Sequence, residues 1–150
     1  MEINGLPLHV LVVHAAVVFG PLAALSAIGY VALPSQRDRL RWVTLVLVVI
    51  AFGAIWTAAL SGEDFYESDR FQGIQGSVVE KNIEDHEELG EMLRNIVTVF
   101  LVITGLAVWQ HKREGVLRHA IGALLVAAAL GTLVYTVLTG DAGAQAVWGS

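Results

Sequence analysis

Cysteine is absent from the 150 residues, which excludes disulfides, thiolate metal sites, iron–sulfur clusters held by this chain and thiol catalysis. Any metal must therefore be held by imidazole, carboxylate or backbone oxygen. Charge is scarce as well: 15% of residues are charged against 55% hydrophobic, too apolar a balance for an ordinary soluble domain. No basic residue precedes Arg37, so the first apolar run lacks the leader of a signal peptide and exceeds its usual length, and it is expected to be retained. There is no phosphate loop, hydrolase elbow or nucleophile–base pair, and a stand-alone enzyme is not expected. With a net charge of −5, nucleic acid is excluded as a partner.

What the chain has instead is long apolar runs, over about 8–33, 42–60, 90–110 and 116–138. Each is near the ~20 residues that a helix rising 1.5 Å per residue needs to cross a ~30 Å hydrocarbon layer. The expected fold is all-α: one domain over 1–150, an integral membrane four-helix up-and-down bundle. Its helices are expected at 8–33, 42–60, 83–110 and 116–138, with an outer loop at 61–82 and a C-terminal tail at 139–150. Six of the nine basic residues fall in the two short connections, Arg37, Arg39 and Arg41 in the first and Lys112, Arg113 and Arg118 in the third. The positive-inside rule turns those connections to the cytoplasm, leaving the acidic middle loop and both termini on the extracytoplasmic side.

Pro21 lies inside the first helix, where it removes a hydrogen bond and frees the carbonyl of Val17. Small residues four apart suggest close helix approach along Ala16, Gly20 and Ala24, along Ala54 and Ala58, and along Ala123, Ala127 and Gly131. The third helix is expected to start at about 83, capped by Asn82, with acidic residues in its first turn. Trp42, Trp109 and Trp148 read as interface anchors, Trp56 as packing or anchor, and Glu91 with Arg94 as a local helix pair.

Counting ~20 residues outward from Leu33 and Trp109 brings His9 and His86 level with each other at the outer rim, with His14 just under the boundary. His86 shares a face with Leu89, Gly90, Leu93 and Val97, and points with the apolar stripe. His9 and His14 lie about 140° apart around their helix, so one or the other faces the bundle. Ionisable groups at this depth are costly and point to function, and neutral imidazole is the usual ligand for haem iron and transition metals. A bis-imidazole haem b would use His86 with His14 or His9, small residues such as Gly90 to admit the ring, and Arg94 for a propionate. A transition-metal site would draw on His9, His14, His86 and a carboxylate, Asp141 or Asp64. The plainer alternative is interfacial histidines bonded to backbone, water or Glu, with no cofactor, serving structure or pH response. His111 and His119, at the cytoplasmic side, read as lipid-headgroup residues rather than a second haem site.

The stretch "GLPLHVLVVH", Ser61-Gly62, the single His opening the third helix and the tail "TGDAGAQAVWG" resemble the bacterial membrane-protein family called domain of unknown function 2231, over nearly the whole chain. Carried over, the family's histidines fall on His9, His14 and His86; Val10 and Ala15-Ala16 depart from its usual following residues, and Asp141 stands where many tails carry His. The resemblance implies a multi-pass protein of the bacterial cell membrane. Some members are fused to Rieske domains, which implies redox work there.

Two readings follow. In the first, a haem b or metal site at the outer face serves electron transfer, with a Rieske or cytochrome protein as redox partner. In the second, the chain is a cofactor-free accessory subunit of a larger, respiratory-type membrane complex, or a homo-oligomer in the bilayer. A transporter is disfavoured, because no repeat or broken helix pair is evident.

Overall fold

The computed structural model describes residues 2–3, 6–66 and 77–148, with side chains from 8–62 and 77–148. Four helices dominate: α1 (Leu8–Ala32), α2 (Arg37–Tyr66), α3 (Val78–Trp109) and α4 (Val116–Trp148). Two short strands, β1 (Glu2–Ile3) and β2 (Leu6–Pro7), pair antiparallel just before α1. All four helices are long and apolar enough to cross a membrane.

α1 matches its apolar run, whereas α2, α3 and α4 extend beyond theirs, because such a run marks the hydrocarbon layer and not the end of backbone hydrogen bonding. α1 passes through Pro21 without a break, and Pro34 opens the single 3₁₀ turn that leads into α2. The start of α3 is a correction. It lies at Ser77, whose hydroxyl accepts from the Glu80 N–H at 3.2 Å, the S-x-x-E capping pattern, so helix replaces the expected loop up to 82. The tail expected at 139–150 is also a correction: α4 stays helical to Trp148. "DAGAQAVW" is rich in helix formers, Gln145 donates to Asp141 four residues back at 2.8 Å, and Asn82 reaches the Gln145 carbonyl at 3.4 Å. Residues 67–76 of the expected outer loop, and the side chains of Glu63 and Asp64, lie outside the described residues.

The helices form a closed ring in chain order, with α1 packed on α2 and α4, and α3 on α2 and α4. Small residues let the backbones close in. Ala16, Gly20 and Ala24, and Ala54 and Ala58, are buried as their spacing predicts. A Cβ on Gly20 would stand 2.9 Å from Thr136 Oγ1, which marks a tight α1–α4 approach. The ridge expected on α4 is a correction: Ala123 and Ala127 are exposed, and Leu125, Ala129, Thr132 and Thr136 face inward instead. Alanine is so dense there that several ridges satisfy the same spacing. Val46, Val49, Val102, Leu124 and Val137 are exposed, a lipid-facing surface that would drive association in water.

The burial register contains an internal repeat that the sequence does not display. One constant offset carries His9, Ala16, Gly20, Ala23, Ala27 and Tyr30 of α1 onto His86, Leu93, Val97, Phe100, Thr104 and Ala107 of α3, and all but the two histidines are buried. A second carries Thr44, Val48, Ala51 and Ile55 of α2 onto Leu125, Ala129, Thr132 and Thr136 of α4, all buried. The bundle is thus two equivalent hairpins with their starts at the same end. Size breaks the equivalence, since Gly20 and Ala23 answer to Val97 and Phe100, so the larger α3 residues fill the volume left by α1.

Candidate functional site

His9 and His86 open the inward faces of α1 and α3 at equivalent positions. Their rings meet edge to face, with centroids 6.1 Å apart and planes at 80°. Each is held in the same way by the neighbouring helix of its own hairpin. His9 Nδ1 donates to the carbonyl of Ala58 on α2 at 2.8 Å; His86 Nδ1 donates to the carbonyl of Thr139 on α4 at 2.9 Å. A carbonyl can only accept, so Nδ1 carries the proton on both rings and Nε2 is the basic nitrogen on both.

Four residues after each carbonyl stands a glycine. A Cβ on Gly62 would lie 3.2 Å from His9 Cε1, and one on Gly143 would lie 2.9 Å from His86 Cε1. The short motifs "SG" after Ala58 and "TGDAG" from Thr139 therefore supply a carbonyl to orient an imidazole and a bare backbone to lie against it. Ser61 secures the first of these by donating to the Thr57 carbonyl at 2.6 Å and to the Ala58 carbonyl at 3.2 Å.

The remaining expected residues fall elsewhere. His14 is exposed, and its Nδ1 donates to the Val10 carbonyl of its own helix at 2.7 Å, so of the two histidines on α1 it is His9 that meets His86. Asp141 is exposed and accepts from Gln145. Arg94 lies two turns further into α3, stacked over the Trp56 ring at 5.1 Å and 3.6 Å from Glu91. The Trp56 indole N–H donates to Thr98 at 3.0 Å, and the Thr98 hydroxyl donates to the Arg94 carbonyl at 2.7 Å. Among the described residues no three of His, Asp and Glu are grouped as a metal site.

Sequence reasoning missed a polar cluster at the opposite, basic end. His111 is a bundle residue whose side chain is only 9% exposed, where a headgroup residue was expected. Its Nε2 lies 2.8 Å from Asp38 Oδ1, and its Nδ1 lies 3.1 Å from the Tyr30 hydroxyl. The Tyr30 hydroxyl also lies 3.2 Å from the Ala107 carbonyl, and accepts from Arg37 at 3.0 Å. The Asp38 carboxylate accepts, so Nε2 carries a proton. The one Tyr30 proton then has two claimants: given to Ala107 it requires His111 to be an imidazolium, and given to Nδ1 it leaves the ring neutral. The signal available in the sequence was Tyr30, an aromatic hydroxyl one helix length from His9.

No curated protein and no solved structure matches the chain. A family model described as a predicted membrane protein matches residues 5–150, which include both histidines and both glycine-bearing helix ends. On that match the chain belongs to the DUF2231 family of predicted membrane proteins.

Proposed function

We propose that this protein is a small electron-transfer subunit in which His9 and His86 would hold a haem b. The observation that carries the reading is the pair of Nδ1–carbonyl bonds from Ala58 and Thr139. A ring tied through one nitrogen is fixed in tautomer and orientation for metal binding through the other. The spacing supports it too. The two rings lie with their centroids 6.1 Å apart, close enough for both to hold one group. Two imidazoles are the full protein complement for a haem iron but only half a tetrahedral shell for a bare transition metal, so donor count favours haem. When bound, haem would supply one-electron chemistry. The chain's own part is to hold both rings in one tautomer and orientation through the Ala58 and Thr139 carbonyls. By the positive-inside rule this end faces away from the cytoplasm of a bacterial cell, where a Rieske or cytochrome protein would exchange electrons with it.

A second reading, the cofactor-free accessory subunit, is favoured by the same contacts taken alone. Imidazoles packed on Gly62 and Gly143 and bonded to carbonyls staple each hairpin without a ligand. The visible spectrum of the purified full-length protein decides between them. The haem reading expects a Soret band in wild type and in His14→Ala that is lost in His9→Ala and in His86→Ala. A colourless, metal-free protein that co-purifies with a larger membrane complex would overturn it in favour of the accessory subunit.

A further inference from the structure

The opposite end of the bundle holds a cavity of about 220 Å³ between the end of α1 and the starts of α2 and α4, with Gln110, the C-cap of α3, on its wall. At about 30 Å³ per water it has room for a group the size of a phosphate. Its polar lining is Tyr30, Arg37, Gln110, Arg118 and His119, and no carboxylate lines it. Arg37 and Arg118 therefore both line one small space that no carboxylate lines, although the charge of Arg37 also reaches Asp38. Arg37 is fixed, its Nη2 on the Tyr30 hydroxyl at 3.0 Å and its guanidinium 4.7 Å over the Tyr30 ring. That leaves the other edge of its donor fork for a ligand.

Arg118 and His119 lie in the first turn of α4, which contains no acidic residue. Cations oppose the helix dipole at that end, and an anion relieves both. His119 Nδ1 is bonded to the Gly115 carbonyl at 2.9 Å, so its basic nitrogen is Nε2. Finally, the Gln110 side-chain oxygen is buried with no hydrogen-bond partner among the described residues. It asks for a donor, and a half-turn of the amide would instead present its NH₂. A ligand that combines an oxyanion with a hydroxyl would satisfy the cations and the orphaned amide together.

We propose that this cavity binds a phosphate group with a hydroxyl on or beside it, either the headgroup of an anionic glycerol phospholipid from the adjoining leaflet, whose glycerol carries the hydroxyl, or free hydrogen phosphate. Basic pockets between membrane helices serve this purpose at the cytoplasmic side. The site is separate from the His9–His86 pair, so neither stands or falls with the other.

The test is native mass spectrometry of the full chain released from detergent, titrated with phosphatidylglycerol, with phosphatidylcholine and with inorganic phosphate. Wild type is expected to retain one phosphatidylglycerol per chain in preference to phosphatidylcholine. Arg118→Gln should weaken retention about tenfold, as loss of a charge-assisted bond does. His119→Gln, at an exposed position that tolerates exchange, should weaken it too, and it carries the test if Arg118→Gln fails to fold. Displacement of the lipid by millimolar inorganic phosphate would support the free anion as ligand; persistence of the adduct would support the lipid. Equal retention by wild type, Arg118→Gln and His119→Gln would overturn the proposal. So would an equal loss in Arg113→Gln, since Arg113 is at the same end but outside the cavity.

Discussion

Replacing Gly143 by alanine would place a Cβ 2.9 Å from Cε1 and 3.1 Å from Nδ1 of His86. The imidazole must move, and in moving it gives up its bond to the Thr139 carbonyl four residues earlier on the same helix. Overpacking of this kind costs about 1–3 kcal/mol, and the lost hydrogen bond about 1 kcal/mol more. Exchanging glycine for alanine inside a helix returns up to about 1 kcal/mol, so a net destabilisation of about 1–3 kcal/mol is expected. Gly140→Ala is the matched comparison, because nothing lies within 4 Å of a Cβ there and the propensity gain stands alone. The two variants, three residues apart on α4, should differ by about 2 kcal/mol or more, a factor of about 30 in the folding equilibrium. The assay is equilibrium unfolding of the full chain in mixed micelles with increasing SDS, followed by far-ultraviolet circular dichroism. In a His86→Ala background the difference should collapse, since the clash has lost its partner. Coincident midpoints for Gly143→Ala and Gly140→Ala would refute the packing of ring on glycine.

The α1–α4 approach gives a parallel case: Gly20→Ala, with its Cβ 2.9 Å from Thr136 Oγ1, should lower the same midpoint by about 1 kcal/mol, and adding Thr136→Ala should restore it. Tyr30→Phe removes the hydroxyl that accepts from Arg37 and lies 3.2 Å from the Ala107 carbonyl, at a cost of about 1–3 kcal/mol. In that background Asp38→Asn should cost less than it does in wild type, because the two couple through His111 and through Arg37; full additivity would contradict the network. His14→Ala should shift the midpoint by less than about 0.5 kcal/mol, as expected for an exposed ring bonded within its own helix, whereas His9→Ala should cost about 1 kcal/mol through the lost Ala58 bond.

Apolar length alone made the four membrane helices legible. A predominantly apolar run of about 20 residues has one stable state in lipid, because every backbone N–H and C=O must be satisfied within the helix. The same counting brought His9 and His86 to one level at one end, and short connections dictated the antiparallel hairpins. Which histidine turns inward was decided by tertiary structure. In water an amphipathic stripe would have shown it, but both faces of a spanning helix are apolar, so Val12 and Val17 give no contrast between bundle and lipid. The ridge on α4 escaped for a related reason, because alanine lies on every face there. The helical course of "TGDAG" was hidden by its glycines, which serve the His86 contact and not a turn. The Tyr30–His111–Asp38 cluster joins residues from α1, from the turn after α3 and from α2 that are distant in the chain. Only the closing of the ring of helices, with the α1 and α3 faces set opposite each other by small residues, brings those groups, and the His9 and His86 imidazoles, within reach of one another.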